Sequence, residues 1–163
     1  MSRSIFFSFH YQRDIFRVNT VRNHYLTKGG YNIAGYWDHS LWESVKKEGD
    51  LAIKRMINQG LKNTSVTVVL IGTETSTRPW VNYEIQKSYE RSNGMIGIYI
   101  HNIRSINGYT DFSGRNPFDN FYITLNGQNV YFSQIYPTYD WVRDDGYNNF
   151  SKWVENAARA VGK

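Results

Sequence analysis

The carboxylate of Glu84 is a candidate for chemistry because of its place in the stretch TSTRPWVNYEIQKSYE, residues 75–90. The stretch follows the apolar run SVTVVLIG and opens with turn-forming residues before it takes up helical spacing. At about 100° per residue, Val81 and Ile85 share a buried face, and Glu84 falls roughly 60–80° from the centre of that face. Trp80 lies one turn earlier. The pattern therefore predicts a partly desolvated carboxylate beside an indole, in the second turn of a helix.

Two interpretations of this carboxylate remain open at this point. In one, Glu84 is a boundary residue that pairs with a neighbouring Arg or Lys side chain. In the other, it reaches a pocket above the edge of a sheet and takes part in catalysis. The spacing permits a catalytic role and does not require one.

Several other chemistries are disfavoured by the sequence. The chain has no cysteine, which excludes disulfides, thiolate catalysis and thiolate zinc sites. It contains neither GxGxxG nor GxxxxGK[ST], and no GxSxG nucleophile elbow. The four histidines lack HxH or HxxxH spacing, so we expect no metal site; they are His10, His24, His39 and His101.

The elements that must position Glu84 follow from hydrophobic patterning. Apolar runs at 4–9, 66–71 and 95–100 show no alternation, which is typical of strands buried on both faces of a parallel sheet. A shorter strand is predicted at 33–37, and a fifth within 131–136. Asn126-Gly127, between two β-prone runs, predicts a β-hairpin that elaborates the C-terminal part.

Helical periods lie between the predicted strands. Apolar side chains recur at helical spacing in four places, around Ile15 to Tyr25, Ile53 to Leu61, Val81 to Tyr89, and Phe150 to Val161. Alternating strands and helices indicate βαβ units, and hence one doubly wound α/β domain over residues 1–163. Ligands of such sheets bind beyond the carboxyl ends of the strands, so the candidate segments are 8–14, 37–43, 72–80 and 101–104.

Composition narrows the class of partner. The formal net charge is +5, but the basic residues are scattered, so nucleic-acid binding is not favoured. Aromatic residues make up 17% of the chain, and many fall in predicted loops, where they could line a pocket for a flat ligand. The apolar runs are strand-sized and no signal-peptide pattern is seen, so we expect a cytoplasmic protein without membrane spans.

Residues 4–100 resemble a TIR domain. FFSFHYQRD is similar to the family's first strand and following loop, and RPWVNYEI matches its W-[VC]-x-x-E-[IL] motif. Further segments resemble a subset, the TIR-like subunits of bacterial Thoeris anti-phage systems: FRVNTVRNH, SLWE, KRMINQGLKNTSVTVVLIG and YDWVRDDGYNNFSKWV. This resemblance implies a flavodoxin-like three-layer sandwich with a mostly parallel five-stranded sheet in the order 2-1-3-4-5 and helices on both faces.

The resemblance also implies an activity. The family cleaves the nicotinamide–ribose bond of NAD⁺, and Thoeris subunits cyclise the product to a cyclic ADP-ribose-type signal that activates a partner effector. NAD⁺ would be substrate, with no cofactor or metal required, because nicotinamide departs as a neutral molecule. Glu84 corresponds to the catalytic glutamate, facing an oxocarbenium-like ribose. A phage component as trigger, and assembly with further copies of the chain, are also implied.

Substrate-binding residues are predicted around Glu84 at the ends of the first two strands. Stacking on nicotinamide or adenine is expected of some aromatic side chains, and Arg13, Arg17 and Arg78 are candidates for the pyrophosphate. The predicted substrate-binding set is Ser8, Phe9, His10, Tyr11, Trp37, Asp38, Trp42 and Trp80.

Two other functions compete with this one. A TIR scaffold would only recruit partner proteins and would not consume NAD⁺. A nucleoside-processing glycosidase or transferase, which can use a similar fold and a lone glutamate, would turn over nucleosides and ignore NAD⁺. NAD⁺ consumption that depends on Glu84 distinguishes the first function from both rivals, and turnover of nucleosides distinguishes the two rivals from each other.

Overall fold

A computed structural model describes residues 3–29, 32–37 and 39–163, so the predicted site residue Asp38 lies outside the described residues. The strands are β1 (Ser4–Ser8), β2 (Asn32–Ala34), β3 (Val66–Ile71), β4 (Gly94–Tyr99), β5 (Tyr122–Leu125), β6 (Gln128–Tyr131) and β7 (Thr138–Asp140). The helices are α1 (Tyr11–Gly29), α2 (His39–Glu48), α3 (Asp50–Leu61), α4 (Pro79–Glu90), α5 (Phe132–Ile135) and α6 (Gly146–Ala160).

The main sheet is parallel throughout and has the order β2-β1-β3-β4-β7. Since β7 is the fifth strand of this sheet along the chain, the predicted order 2-1-3-4-5 is confirmed. The order reverses between β1 and β3, which opens a crevice at the carboxyl ends of these two strands. Ser8 ends β1 there, and α4 begins a few residues after β3 at the same edge.

Helices cover both faces of the sheet, as predicted. Val68 and Leu70 of β3 belong to the core cluster that includes residues of α1 and α6. Val69 and Ile71, which alternate with them, pack in a second cluster with residues of α4. A third cluster joins Phe6 of β1 to α3. The three predicted long strands are thus buried on both sides, which accounts for their unalternating apolar sequences.

The hairpin prediction is confirmed, whereas the predicted position of the fifth sheet strand is wrong. β5 and β6 pair antiparallel around Asn126 and Gly127, whose φ angles of 52° and 79° fit a two-residue hairpin turn. The strand predicted within 131–136 is instead the short helix α5, whose Phe132 is buried against Phe121 and Tyr89. The fifth sheet strand is β7, three residues long and directly after Pro137.

Two further boundaries differ from the predictions around the second strand. The candidate segment 37–43, where no helix was predicted, includes the first half of α2, so Trp42 stands on a helix. β2 ends at Ala34 rather than at Trp37, because Gly35 takes a φ of +80° and turns the chain away from the sheet. Among the described residues no helix combines the length and apolar character needed to cross a membrane.

Candidate active site

Glu84 lies buried in the second turn of α4, with 5% of its surface exposed. Its Oε1 accepts a hydrogen bond of 2.7 Å from the Oγ of Ser8, the last residue of β1. None of the ion pairs among the described residues involves Glu84. The interpretation as a boundary glutamate paired with Arg or Lys is therefore wrong, and the carboxylate is a desolvated group held by one hydroxyl.

Burial raises the pKa of Glu84 to about 8, and the hydrogen bond from Ser8 opposes this shift only in part. At neutral pH the group therefore holds its proton in most molecules. A cationic group brought next to it would favour the carboxylate and lower its pKa. The site thus combines a carboxyl poised near physiological pH with an environment that responds to positive charge.

A cavity of about 210 Å³ opens beside Glu84. Its walls come from the segment after β1, from Gly35 and the residues that follow it, from α2 and from the first turns of α4. This volume lies below the usual range for pockets that enclose a whole drug-sized ligand, so it suits one end of a larger molecule. The cavity is lined mainly by aromatic and apolar side chains, which favours a flat ring.

Most of the predicted site residues meet at this cavity. Ser8 does not line the cavity, but it donates a hydrogen bond to Glu84, which does. Asp38 lies outside the described residues. The predicted residues that line the cavity are Phe9, His10, Tyr11, Trp37, Trp42, Trp80 and Glu84.

The aromatic walls are fixed by packing against the core. The rings of Trp37 and Trp42 stack with centroids 6.2 Å apart and an interplanar angle of 14°. Trp37 in turn meets the buried ring of Phe6 edge-on at 5.9 Å. Trp80 contacts Tyr83 edge-on at 5.8 Å, and both rings pack against the same core cluster as Trp37. Ring walls held in this way present a slot of set shape, which is what stacking on a planar base requires.

The three arginines suggested for pyrophosphate binding have different surroundings. Arg13 is engaged by Asp111 at 2.9 Å and by Glu74. Arg17 is buried and donates to the carbonyl oxygens of Ile103 and Tyr109. Only Arg78, among these three, lines the cavity. Arg13 and Arg17 are therefore engaged by other groups of the protein, and neither lines the cavity.

Two charged residues, one at the cavity and one buried on α1, were not singled out from the sequence. Lys46, on the last turn of α2, lines the cavity, and it was missed because no helix was predicted over these residues. Asp14 is 1% exposed, and burial raises its pKa to about 6. Its spacing to Val18 and Tyr25 on the buried face of α1 is the signal that could have identified it.

Glu84 is the one Asp or Glu side chain among the residues that line the cavity, and His10 is the one histidine among them. Burial and the charge of Arg78 lower the pKa of His10, so its imidazole is neutral at physiological pH. Within residues 3–29, 32–37 and 39–163, no cluster of three or more metal-binding side chains occurs. Glu84 is accordingly the strongest candidate for chemistry at this cavity.

A five-stranded parallel sheet with a buried glutamate at its carboxyl edge, facing an aromatic cavity, defines the class as a TIR-like α/β domain. The family model described as "Thoeris protein ThsB, TIR-like domain" matches residues 6–105, more than half of the chain. The chain belongs to this family of Thoeris TIR-like proteins. A Bacillus cereus (strain MSX-D12) protein named "Putative cyclic ADP-D-ribose synthase ThsB1" is 44% identical, over 94% of this chain and 100% of that protein.

Proposed function

We propose that this protein cleaves the nicotinamide–ribose bond of NAD⁺ and cyclises the product to a cyclic ADP-ribose-type signal. The observation that carries the proposal is the buried Glu84, held by Ser8 next to an aromatic cavity sized for one end of a dinucleotide. The name of the B. cereus relative, a cyclic ADP-D-ribose synthase, supports it. In a Thoeris system the product would then activate a partner effector protein.

The chemistry needs orientation and charge stabilisation more than acid catalysis. When the C1′–N bond breaks, its electron pair neutralises the pyridinium ring, so nicotinamide leaves without a proton. The ribose is left with oxocarbenium character, and the carboxylate of Glu84 stabilises that positive charge. Without a ligand, burial keeps Glu84 largely protonated at neutral pH. NAD⁺ carries a cationic pyridinium ring, so its binding favours the ionised carboxylate of Glu84.

Cyclisation requires a nucleophile from the adenosine end of the same molecule instead of water. The cavity walls formed by Trp37, Trp42 and Trp80 support this outcome, because they are apolar and restrict access of solvent to the reacting carbon. A folded dinucleotide with a ring against these walls would bring its two ends together.

The proposal is tested by mass-spectrometric product analysis of wild type and Glu84→Gln, with purified protein and with lysate of phage-challenged cells. We expect release of nicotinamide and a species with the mass of cyclic ADP-ribose to fall by about 100-fold or more in the variant, because the charge that stabilises the ribose is gone. Glu90→Gln, an exposed glutamate at the end of α4, is the matched control. Equal NAD⁺ turnover by wild type and Glu84→Gln, or none by either, would refute the proposal.

Ser8→Ala is expected to change the pH dependence of this activity. The hydroxyl of Ser8 lowers the pKa of Glu84, so its loss raises the pKa above the value near 8. The midpoint of kcat/KM against pH, which reports the free enzyme, should move up by about one to two pH units. Ser88→Ala removes a buried hydroxyl that donates to the backbone oxygen of Glu84, at 2.7 Å, and should leave the midpoint in place. A shift of equal size in both variants would contradict a specific role for Ser8.

A further inference from the structure

We propose that Arg78 and Lys46 form a subsite for the diphosphate of the dinucleotide, and that Glu74 competes with the diphosphate for Arg78. This inference rests on the proposed function, since it assigns the part of NAD⁺ that the aromatic cavity cannot hold. It deepens that function by naming the groups that set affinity and orientation.

Arg78 and Lys46 lie at different helices and meet at one cavity. Arg78 directly precedes α4, and Lys46 lies in the last turn of α2, yet both line the same cavity as Glu84. The other lining side chains that carry polar atoms are His10, Tyr11, Gln12, Trp37, Trp42, Trp80 and Glu84. With His10 neutral and Glu84 largely protonated, Arg78 and Lys46 are the charged side chains among those lining residues. A nicotinamide ring against Glu84 would therefore leave a diphosphate facing two cations.

The backbone at the start of α4 adds to the positive charge of Arg78 and Lys46 at the cavity. Pro79 opens the helix, and Arg78 at the N-cap makes no side-chain capping bond. Trp80 and Val81 lie in the first turn and line the cavity. The first N–H groups of a helix have no partner within it, and the helix dipole makes this end positive. Anionic oxygens are thus favoured beside Arg78 for a second reason, independent of its side chain.

Arg78 forms an ion pair with Glu74. Its Nη2 donates to Glu74 Oε1, an ion pair between residues four apart. Its Nε is buried and has no hydrogen-bond partner among the described residues. The guanidinium is therefore only partly satisfied by Glu74, and it can gain from an acceptor with several oxygens. Both side chains of this pair are more than one third exposed, so the pair is weak enough to be exchanged for a diphosphate.

Glu74 itself would not be left unpaired by this exchange. Its Oε2 accepts from Arg13, which also binds Asp111 through two nitrogens. When Arg78 turns to the ligand, Arg13 still neutralises Glu74. The sequence offered Arg13, Arg17 and Arg78 as candidates, with surface solvation as the alternative for each, and these contacts assign the ligand to Arg78 and the supporting role to Arg13.

The test measures binding by isothermal titration calorimetry in the Glu84→Gln background, so that NAD⁺ is not consumed. Adding Arg78→Gln should weaken NAD⁺ binding about 10-fold or more, and Lys46→Gln should also weaken it, because each removes a charged contact. Adding Glu74→Gln should tighten binding about two- to fivefold, because a competing acceptor is lost. Lys47→Gln, on the next residue of α2 and exposed, is the matched charge control and should have no effect.

Two further ligands test the diphosphate subsite separately from the proposed NAD⁺-cleaving function. Nicotinamide riboside lacks the diphosphate, so its affinity should not respond to Arg78→Gln. Inorganic diphosphate should bind wild type in competition with NAD⁺ and lose affinity in Arg78→Gln. If NAD⁺ binds and the charge variants behave like Lys47→Gln, the subsite is refuted while the proposed function stands. If NAD⁺ is neither bound nor cleaved but diphosphate binds through Arg78, the proposed function fails and the anion subsite survives. If diphosphate does not bind either, both fail.

Discussion

Glu84→Gln is expected to stabilise the protein while it removes the proposed activity. Burial holds the pKa of Glu84 at about 8, against 4.5 for an ordinary glutamate. A group whose pKa is higher in the folded state contributes its full stability below the unfolded value and loses that contribution as pH rises to the folded value. Wild type should therefore lose on the order of 3–5 kcal/mol between pH 4.5 and 8 through this one carboxyl. A glutamine side chain does not ionise, so the variant should not lose this stability as the pH rises.

Calorimetry at pH 5, 7 and 9 checks this expectation. The melting temperature of Glu84→Gln should be close to that of wild type at pH 5 and higher by about 10 °C at pH 9, since 1 kcal/mol corresponds to about 2–4 °C for a chain of this size. Glu90→Gln, exposed on the same helix, should follow wild type at every pH. A melting difference that is the same at all three values would contradict burial of an ionisable Glu84. A gain that is small at pH 5, present at pH 7 and largest at pH 9 would show the stability that a functional carboxylate costs.

Gly35→Ala is expected to be the most damaging single change at the cavity wall. Gly35 has a φ of +80°, and a Cβ placed there would lie 2.4 Å from the carbonyl oxygen of Phe7 and 3.0 Å from the ring of Phe6. The backbone of β1 cannot move aside, because its residues pair with both β2 and β3. We expect a loss of about 3 kcal/mol or more of unfolding free energy, measured by urea denaturation.

Gly108→Ala separates the two causes of this loss. Gly108 has a φ of +81°, but a Cβ there would meet nothing within 4 Å. Its substitution should therefore cost only the backbone term, about 1–2 kcal/mol. Similar losses for the two variants would mean that the clash with Phe7 is relieved by movement of the strand.

The long strands were predictable from sequence and the short elements were not. VTVVLI and MIGIYI carry enough apolar residues to identify β3 and β4 without any knowledge of their neighbours. β7 has only three residues, and its strand conformation comes from pairing with β4 through Thr138, Tyr139 and Asp140. The composition of YFSQIY is more typical of a strand, yet residues 132–135 form the helix α5, in which Phe132 is buried. Local propensity is overridden here by tertiary packing.

At the site, the sequence identified the groups but not their partners. Helical spacing placed Glu84 on a boundary because it describes one helix alone, whereas burial comes from β1 across the crevice. The Ser8–Glu84 hydrogen bond spans 76 residues, and the Arg13–Asp111 contact spans 98. No local pattern reports pairs so far apart. The choice between a charged pair and a desolvated acid therefore depended on the fold.

The arrangement of the indoles has a spectroscopic consequence. Of the five tryptophans, Trp37, Trp42 and Trp80 line the cavity, while Trp141 and Trp153 pack in the core cluster that includes residues of α1 and α6. The half-buried indoles at the cavity sit where a stacked base would change both their polarity and their excited-state lifetime. Because three of the five indoles line the cavity, occupation of the cavity should change the intrinsic ultraviolet emission, and the chain carries its own optical reporter of what binds there.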